Sequence, residues 1–187
     1  MLSVINRQRY LNALGINVGA ADGIEGAKTK AGYLTLQKKY FTRSKDIDGI
    51  YGVNTDILLQ SAYNMKDITY FKLNEMKCQC GGKYCTGYPA VINKQLMKNI
   101  DYLRNDSKAP ITITSGLRCS THNKNVGGAS GSYHTKGRAV DIVSNTLTNT
   151  KTKRKQLVQR WKTFKKNHYY YSDSGNMGNA FHLDVYE

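Results

Sequence analysis

Four histidines occur in 187 residues, and two of them stand near aspartates in settings that suit metal chemistry. The first lies in Ser132-Tyr-His134-Thr-Lys-Gly137-Arg-Ala139-Val-Asp141, the second in the closing His182-Leu-Asp184-Val185. Two imidazoles and one carboxylate give Zn²⁺ three protein ligands. A fourth position then stays open for water, the pattern of a catalytic site rather than a closed structural one. A second group of metal-capable side chains is Cys78, Cys80 and Cys85, with Cys119 in the Arg118-Cys-Ser loop. Three states stay open for it. A four-thiolate structural zinc would use all four, although the spacing lacks the paired C-x₂-C halves of common zinc ribbons. A disulfide between the cluster and Cys119 would suit an oxidising exterior. Reduced thiols without a ligand are the third.

The elements around these residues must bring distant stretches together. Ala139–Val143 reads as a strand, with Asp141 on one side and Val140 and Ile142 on the other. His134 lies across Gly137, whose freedom of φ lets the chain turn back toward the carboxylate. In Phe181–Val185, alternation puts His182 and Asp184 on one face while Leu183 and Val185 enter the core, so one can bind metal while its neighbour handles protons. Ile111-Thr-Ile-Thr114 alternates like another short strand. A helix is expected where Ile92, Leu96, Ile100 and Leu103 share a side, and an amphipathic helix where Leu157, Trp161 and Phe164 recur. From Ser144 to Ser172 there are eight basic side chains and no acidic one, which reads as a basic, solvated outer face.

The first 63 residues contain an internal echo. Asp22-Gly-Ile-Glu-Gly26 recurs as Asp48-Gly-Ile-Tyr-Gly52, each followed three residues later by Thr, at Thr29 and Thr55. Asp-Gly supplies a tight turn, and the Thr is placed to start a helix. Val4, Leu11 and Leu14 recur at helical spacing ahead of the first turn, and Gly15 ends that helix. Three short helices joined by Asp-Gly turns make a small bundle. Gly32, inside the second helix, is expected to loosen it by about 1 kcal/mol relative to Ala. The expected class is α+β: a three-helix domain over residues 1–66, then a domain over 67–187 with a short antiparallel sheet flanked by helices.

Composition narrows the function classes. Lys and Arg number 28 against 13 Asp and Glu, a formal net charge of +15. That surplus suits any polyanion, but no recognised DNA- or RNA-binding motif accompanies it, so specific nucleic-acid binding is not expected. An anionic lipid surface, the anionic polymers of a cell wall and plain solubility with weak adhesion all stay open. No apolar run reaches the roughly 18–20 residues of a membrane-spanning helix, and residues 1–10 show no apolar core of signal-peptide length.

Two resemblances add to this reading. Leu11-Asn-Ala-Leu-Gly15, the two Asp-Gly turns, Leu36-Gln37, Thr29 and Thr55 resemble the peptidoglycan-binding domain found at one end of many cell-wall hydrolases. That likeness implies wall contact, with Asp22 and Asp48 as candidate contacts. Thr114-Ser-Gly-Leu-Arg118, His122-Asn123, Val126-Gly-Gly128, Ser132-x-His134-x-x-Gly137-x-Ala139-x-Asp141 and His182-x-Asp184-Val185 resemble the zinc D-alanyl-D-alanine carboxypeptidase family, which includes vancomycin-resistance dipeptidases and phage endolysins.

This second resemblance implies His134, Asp141 and His182 as zinc ligands. It implies Arg118 as a substrate-facing guanidinium that stabilises charge on the scissile carbonyl, and Ser132 as support for the ligand loop within reach of substrate. Many members carry an acid or His two or three residues before the last ligand, where this chain has Ala180 and Asn179. The family's His-x-Asp-Val branch carries Asp two residues after the ligand, and that likeness implies Asp184 as the candidate general base, with Asp173 the reserve. The implied function is a monomeric peptidoglycan hydrolase of endolysin type. It would be made in a host cytoplasm, act at the bacterial wall, and use a zinc-activated water to cut a stem or cross-linking peptide. D-Ala-D-Ala, cross-bridge and L-Ala-D-Glu bonds are all open to the scaffold. The alternative is a noncatalytic wall-binding module with a structural zinc.

Overall fold

The computed structural model describes residues 1–164, 167–171 and 178–186. Its N-terminal third consists of α1 (Val4–Ala13), α2 (Ala27–Tyr40) and α3 (Val53–Met65). Leu11, Tyr33, Leu36, Leu58 and Leu59 are buried where these helices meet. Gly15 has φ +76°, as the residue after a helix end commonly does.

The repeated turn carries a repeated latch. Gln8 of α1 is buried, and its amide nitrogen lies 2.9 Å from Asp22 Oδ1, 3.0 Å from Ile24 O and 3.2 Å from Thr29 Oγ1. Its amide oxygen accepts from the Gly23 N–H at 2.9 Å. Gln37 of α2 repeats the set one turn later, reaching Asp48 Oδ1 at 3.0 Å, Ile50 O at 3.1 Å and Thr55 Oγ1 at 2.9 Å, and accepting from the Gly49 N–H at 2.8 Å. Asp22 and Asp48 also accept from the N–H two residues on, at 2.9 and 2.8 Å, closing local turns. A buried amide must find partners on both its ends, and the Asp-Gly-Ile…Thr spacing supplies them. Both Asp carboxylates are exposed, and each is tied to its own turn and to the buried glutamine beneath it. Thr29 and Thr55 stand third in their helices instead of capping them; Gly26 and Gly52 occupy the cap positions.

Gly32 has a steric role that helix propensity does not register. A Cβ there would stand 2.5 Å from Val18 Cγ1 and 3.1 Å from Leu11 Cδ1. The bare backbone lets α2 seat against α1 and the segment that follows it.

The rest of the chain is α4 (Lys94–Ser107), β1 (Thr112–Ser115), α5 (Ser120–Asn125), β2 (Ala139–Val143), α6 (Lys151–Trp161), β3 (Asn167–Tyr171) and β4 (Phe181–Val185). The strands form an antiparallel sheet in the order β1-β2-β4-β3, and the architecture is mixed α+β. Asn93 caps α4 by accepting from the Leu96 N–H at 2.9 Å. Leu96, Met97, Ile100 and Leu103 of α4 share a core with Val140, Ile142, Phe181, Leu183 and Val185. Leu157, Val158 and Trp161 of α6 complete it, and Trp161 Nε1 donates to the Asp184 carbonyl at 3.2 Å. One face of β2 and β4 is therefore apolar and packed, and the other presents Asp141, His182 and Asp184.

The bundle joins this part directly. Ser61 Oγ accepts from the Ile92 N–H at 3.1 Å and Asn64 donates to the Ile92 carbonyl at 2.8 Å. The apolar core runs on from Met65 through Phe71, Leu73 and Met76 to Ile92. Among the described residues no helix is long and apolar enough to cross a membrane.

Gly32→Ala tests the packing reading. Helix propensity alone forecasts a gain of about 1 kcal/mol, whereas overpacking against Val18 and Leu11 forecasts a loss of about 1–3 kcal/mol. The urea midpoint of the variant is expected to fall.

Candidate metal centre

The register between β2 and β4 sets the site. Asp141 lies directly opposite His182, with Val140 opposite Leu183 on the core face. Cross-strand neighbours on one face stand about 4.5–5.5 Å apart at Cβ, so the pairing alone brings the carboxylate to the imidazole. His182 Nδ1 is 2.8 Å from Asp141 Oδ1. On the other side Ser115 of β1 pairs with Asp141 just after an irregularity in the ladder.

His134 arrives from a loop. Ser132 caps the short 3₁₀ turn Tyr133–Lys136, its hydroxyl accepting from the His134 N–H at 3.3 Å. Gly137 then reverses the chain at φ +71°. A Cβ on Gly137 would stand 2.1 Å from the Val91 carbonyl oxygen, and the Gly137 carbonyl accepts from the Asn93 N–H at 2.8 Å. Glycine is needed here twice, for the left-handed φ and for the close approach. The turn delivers His134 Nε2 to 3.2 Å from Asp141 Oδ1 and 3.1 Å from His182 Nδ1.

The outer edge of each ring is tied as well. His134 Nδ1 donates to the Gly116 carbonyl at 2.6 Å. His182 Nε2 faces Asp184 Oδ2 at 3.1 Å. A carbonyl and a carboxylate only accept, so each ring carries a proton on its outer nitrogen, and in the neutral ring the lone pair turns inward. Asp141 is divided in the same manner: Oδ1 faces the imidazoles, and Oδ2 receives the Arg118 guanidinium, whose Nε donates to Ser115 Oγ at 2.9 Å.

Three lone-pair donors therefore converge in a triangle with edges of 2.8–3.2 Å. Acceptors pointed at one another repel unless a proton or a cation lies between them. The set is nitrogen, nitrogen and carboxylate oxygen, and ligands around tetrahedral zinc stand about 3.3 Å apart at bond lengths near 2.0–2.1 Å. The residues present fit zinc. Backing of ligand imidazoles by a carbonyl or carboxylate is the usual second layer of such sites.

The carboxylates that favour a cation here also favour a proton on His182, so metal and proton compete for its inward nitrogen. Burial pushes the His182 imidazole down, but the Asp141 and Asp184 carboxylates carry it up to about 9. Burial likewise raises the Asp141 carboxyl, and its bonds to His134 and His182 outweigh this and hold it well below the carboxylate range. His134 and Asp141 are 2% and 4% exposed.

The structure thus brings His134, Asp141, His182, Arg118 and Asp184 together, with Ser132 at the base of the His134 turn. Asp184 is 2% exposed and meets His182 on the edge opposite the metal-facing nitrogen. Asp22 and Asp48 belong to the bundle turns, and Asp173 lies outside the described residues. The Gly116 carbonyl and Ser115 hydroxyl are parts of the site that residue types did not reveal. A backbone carbonyl has no signature in a sequence, and Ser115 shows only through strand pairing.

Comparison with known proteins places this geometry. Residues 69–176 match the Peptidase M15 family, a stretch that includes His134 and Asp141 and closes before His182. The chain is 33% identical over 132 residues to the zinc D-Ala-D-Ala carboxypeptidase of Streptomyces albus G, an alignment covering 66% of this chain and 49% of that protein. The chain spans about half the length of this curated relative. With more than half of its residues inside the family match, the chain belongs to the Peptidase M15 family.

Proposed function

We propose that the protein is a zinc-dependent peptidase of bacterial peptidoglycan, cutting a peptide bond in the stem or cross-linking peptides at the cell wall, as an endolysin does. The triangle of inward lone pairs at His134, Asp141 and His182 carries this reading, supported by the family membership and the similarity to a zinc D-Ala-D-Ala carboxypeptidase. Zinc bound there supplies Lewis acidity toward a peptide carbonyl and acidifies water. The chain's own residues prepare the place. Gly116 and Asp184 fix which nitrogen of each imidazole faces inward. Arg118 neutralises Asp141 Oδ2 and presents a guanidinium beside the reaction site, where oxyanion or carboxylate charge would be stabilised.

The bundle is proposed to hold the wall. Between its turns lies a groove of about 400 Å³, lined in part by Glu25, Lys30, Asp48, Ile50 and Tyr51, a mixture of aromatic and polar groups suited to glycan and peptide. The net charge of +15 favours the anionic polymers of the wall. Mass spectrometry of purified walls after digestion is expected to show released muropeptides, abolished by chelator and restored by zinc. Walls that bind the protein and release nothing would make it a noncatalytic wall-binding module.

Asp184 is proposed to position His182. Its carboxylate stands behind the ring, and a general base must come within hydrogen-bond reach of the proton it takes. Asp184→Asn is expected to weaken zinc affinity by about 10–100-fold, with turnover recovering at saturating zinc. A fall in turnover of about 10²–10⁴-fold with zinc fully bound would make Asp184 the base.

A further inference from the structure

The four cysteines, drawn from two stretches more than thirty residues apart, converge on one point. The Sγ atoms of Cys78, Cys80, Cys85 and Cys119 lie within 4.8 Å of one another. Cys80 and Cys85 stand 3.5 Å apart at sulfur, close to the roughly 3.8 Å between thiolates around tetrahedral zinc with bonds near 2.3 Å. Cys78 and Cys119 are buried, and Cys80 and Cys85 are half-buried.

Backbone amides point at the sulfurs. The Cys119 N–H donates to Cys78 Sγ at 3.3 Å, the Gly87 N–H to Cys85 Sγ at 3.4 Å and the His122 N–H to Cys119 Sγ at 3.4 Å. Such bonds favour thiolate over thiol, because the acceptor strengthens as it gains charge. The 78–87 loop that brings three of the sulfurs together turns at Gly81, Gly82 and Gly87, all at positive φ. Arg43 and Lys77 lie beside the cluster, where their charge offsets the surplus of four thiolates over one divalent ion.

We infer that Cys78, Cys80, Cys85 and Cys119 form a closed structural site for a second zinc ion, separate from the His134–Asp141–His182 centre. A disulfide would use two of the four sulfurs and give no account of the other two or of the amides aimed at them.

The ion's place in the fold indicates what it does. It clamps the 78–85 loop to Cys119, which follows Arg118 directly in the chain. The same loop pair is stitched by the Leu117 N–H to the Met76 carbonyl at 2.8 Å and by Gln79 to the Thr114 carbonyl at 2.7 Å. Gly116 passes so close that a Cβ would stand 2.6 Å from Met76 Cα. From this clamped segment the Gly116 carbonyl holds His134 and Arg118 holds Asp141. The thiolate site thus anchors the segment that aligns two of the three catalytic-site ligands.

The test is metal content together with cobalt substitution on the whole chain, purified under reducing conditions without chelator. Two zinc ions per chain are expected. Cobalt loading is expected to give an intense sulfur-to-cobalt charge-transfer band, retained in His182→Ala and lost in Cys80→Ser. Loss of the band in Cys80→Ser with about one zinc remaining assigns that ion to the histidine centre. Should the cysteine variant fold poorly, the wild-type spectrum decides alone. Overturning results are cobalt-loaded wild type without a sulfur band, a disulfide among the four cysteines in the freshly purified protein, or four thiols as reactive in the zinc-loaded native protein as in the denatured one.

Discussion

A single buried carboxylate organises the C-terminal half of this protein. Asp141 turns one oxygen to two imidazoles and the other to a guanidinium, and each of those partners comes from a different part of the chain. Burying a carboxylate is costly unless its lone pairs are met. The strand register, the Gly137 turn and the 115–118 loop can all be understood as meeting them. Shifting β4 by one residue would put Leu183 opposite Asp141 and send both imidazole and Asp184 into the apolar core, so the hydrophobic alternation of the strand protects the chemistry as well as the packing.

Around that carboxylate, control is exerted mostly by backbone. Gly116 contributes a carbonyl, Gly137 a left-handed turn and a close approach, and the cysteine cluster is met by the N–H groups of Gly87, Cys119 and His122. Side chains then need only reach into a frame that is already shaped. The same economy governs the bundle, where one buried glutamine per turn engages a carboxylate, a carbonyl, a hydroxyl and an N–H together.

Much of this was legible in the residues. The His134–Asp141 spacing across Gly137 and the alternation around His182 signalled a metal centre, and the structure unites those three side chains. Alternation is a strong signal when a strand is buried on one face and functional on the other. The shared latch role of Gln8 and Gln37 was silent, although Gln37 belongs to the first resemblance, because the two stand at unequal distances, fourteen and eleven residues, before their Asp partners. The helix-starting role expected of Thr29 and Thr55 went to glycines because the hydroxyls serve the latch. Gly32 read as a weakness since propensity scales count backbone freedom and cannot see a neighbouring helix. Arg118 was expected to face substrate, and the structure adds its pairing with Asp141, a contact between residues 23 apart that no local pattern announces.

The seam at Ile92, where Ser61 and Asn64 grip the chain just ahead of α4, has a mechanical corollary. Two modules on a flexible leash sample a volume set by the leash, and the second encounter is governed by chance return. Here the leash is replaced by shared packing. If the bundle holds the wall as proposed, its catch would be offered to the metal-side face at one distance and one angle, and choice among the bonds of a meshwork would follow from where the molecule stands as much as from the shape of its cleft.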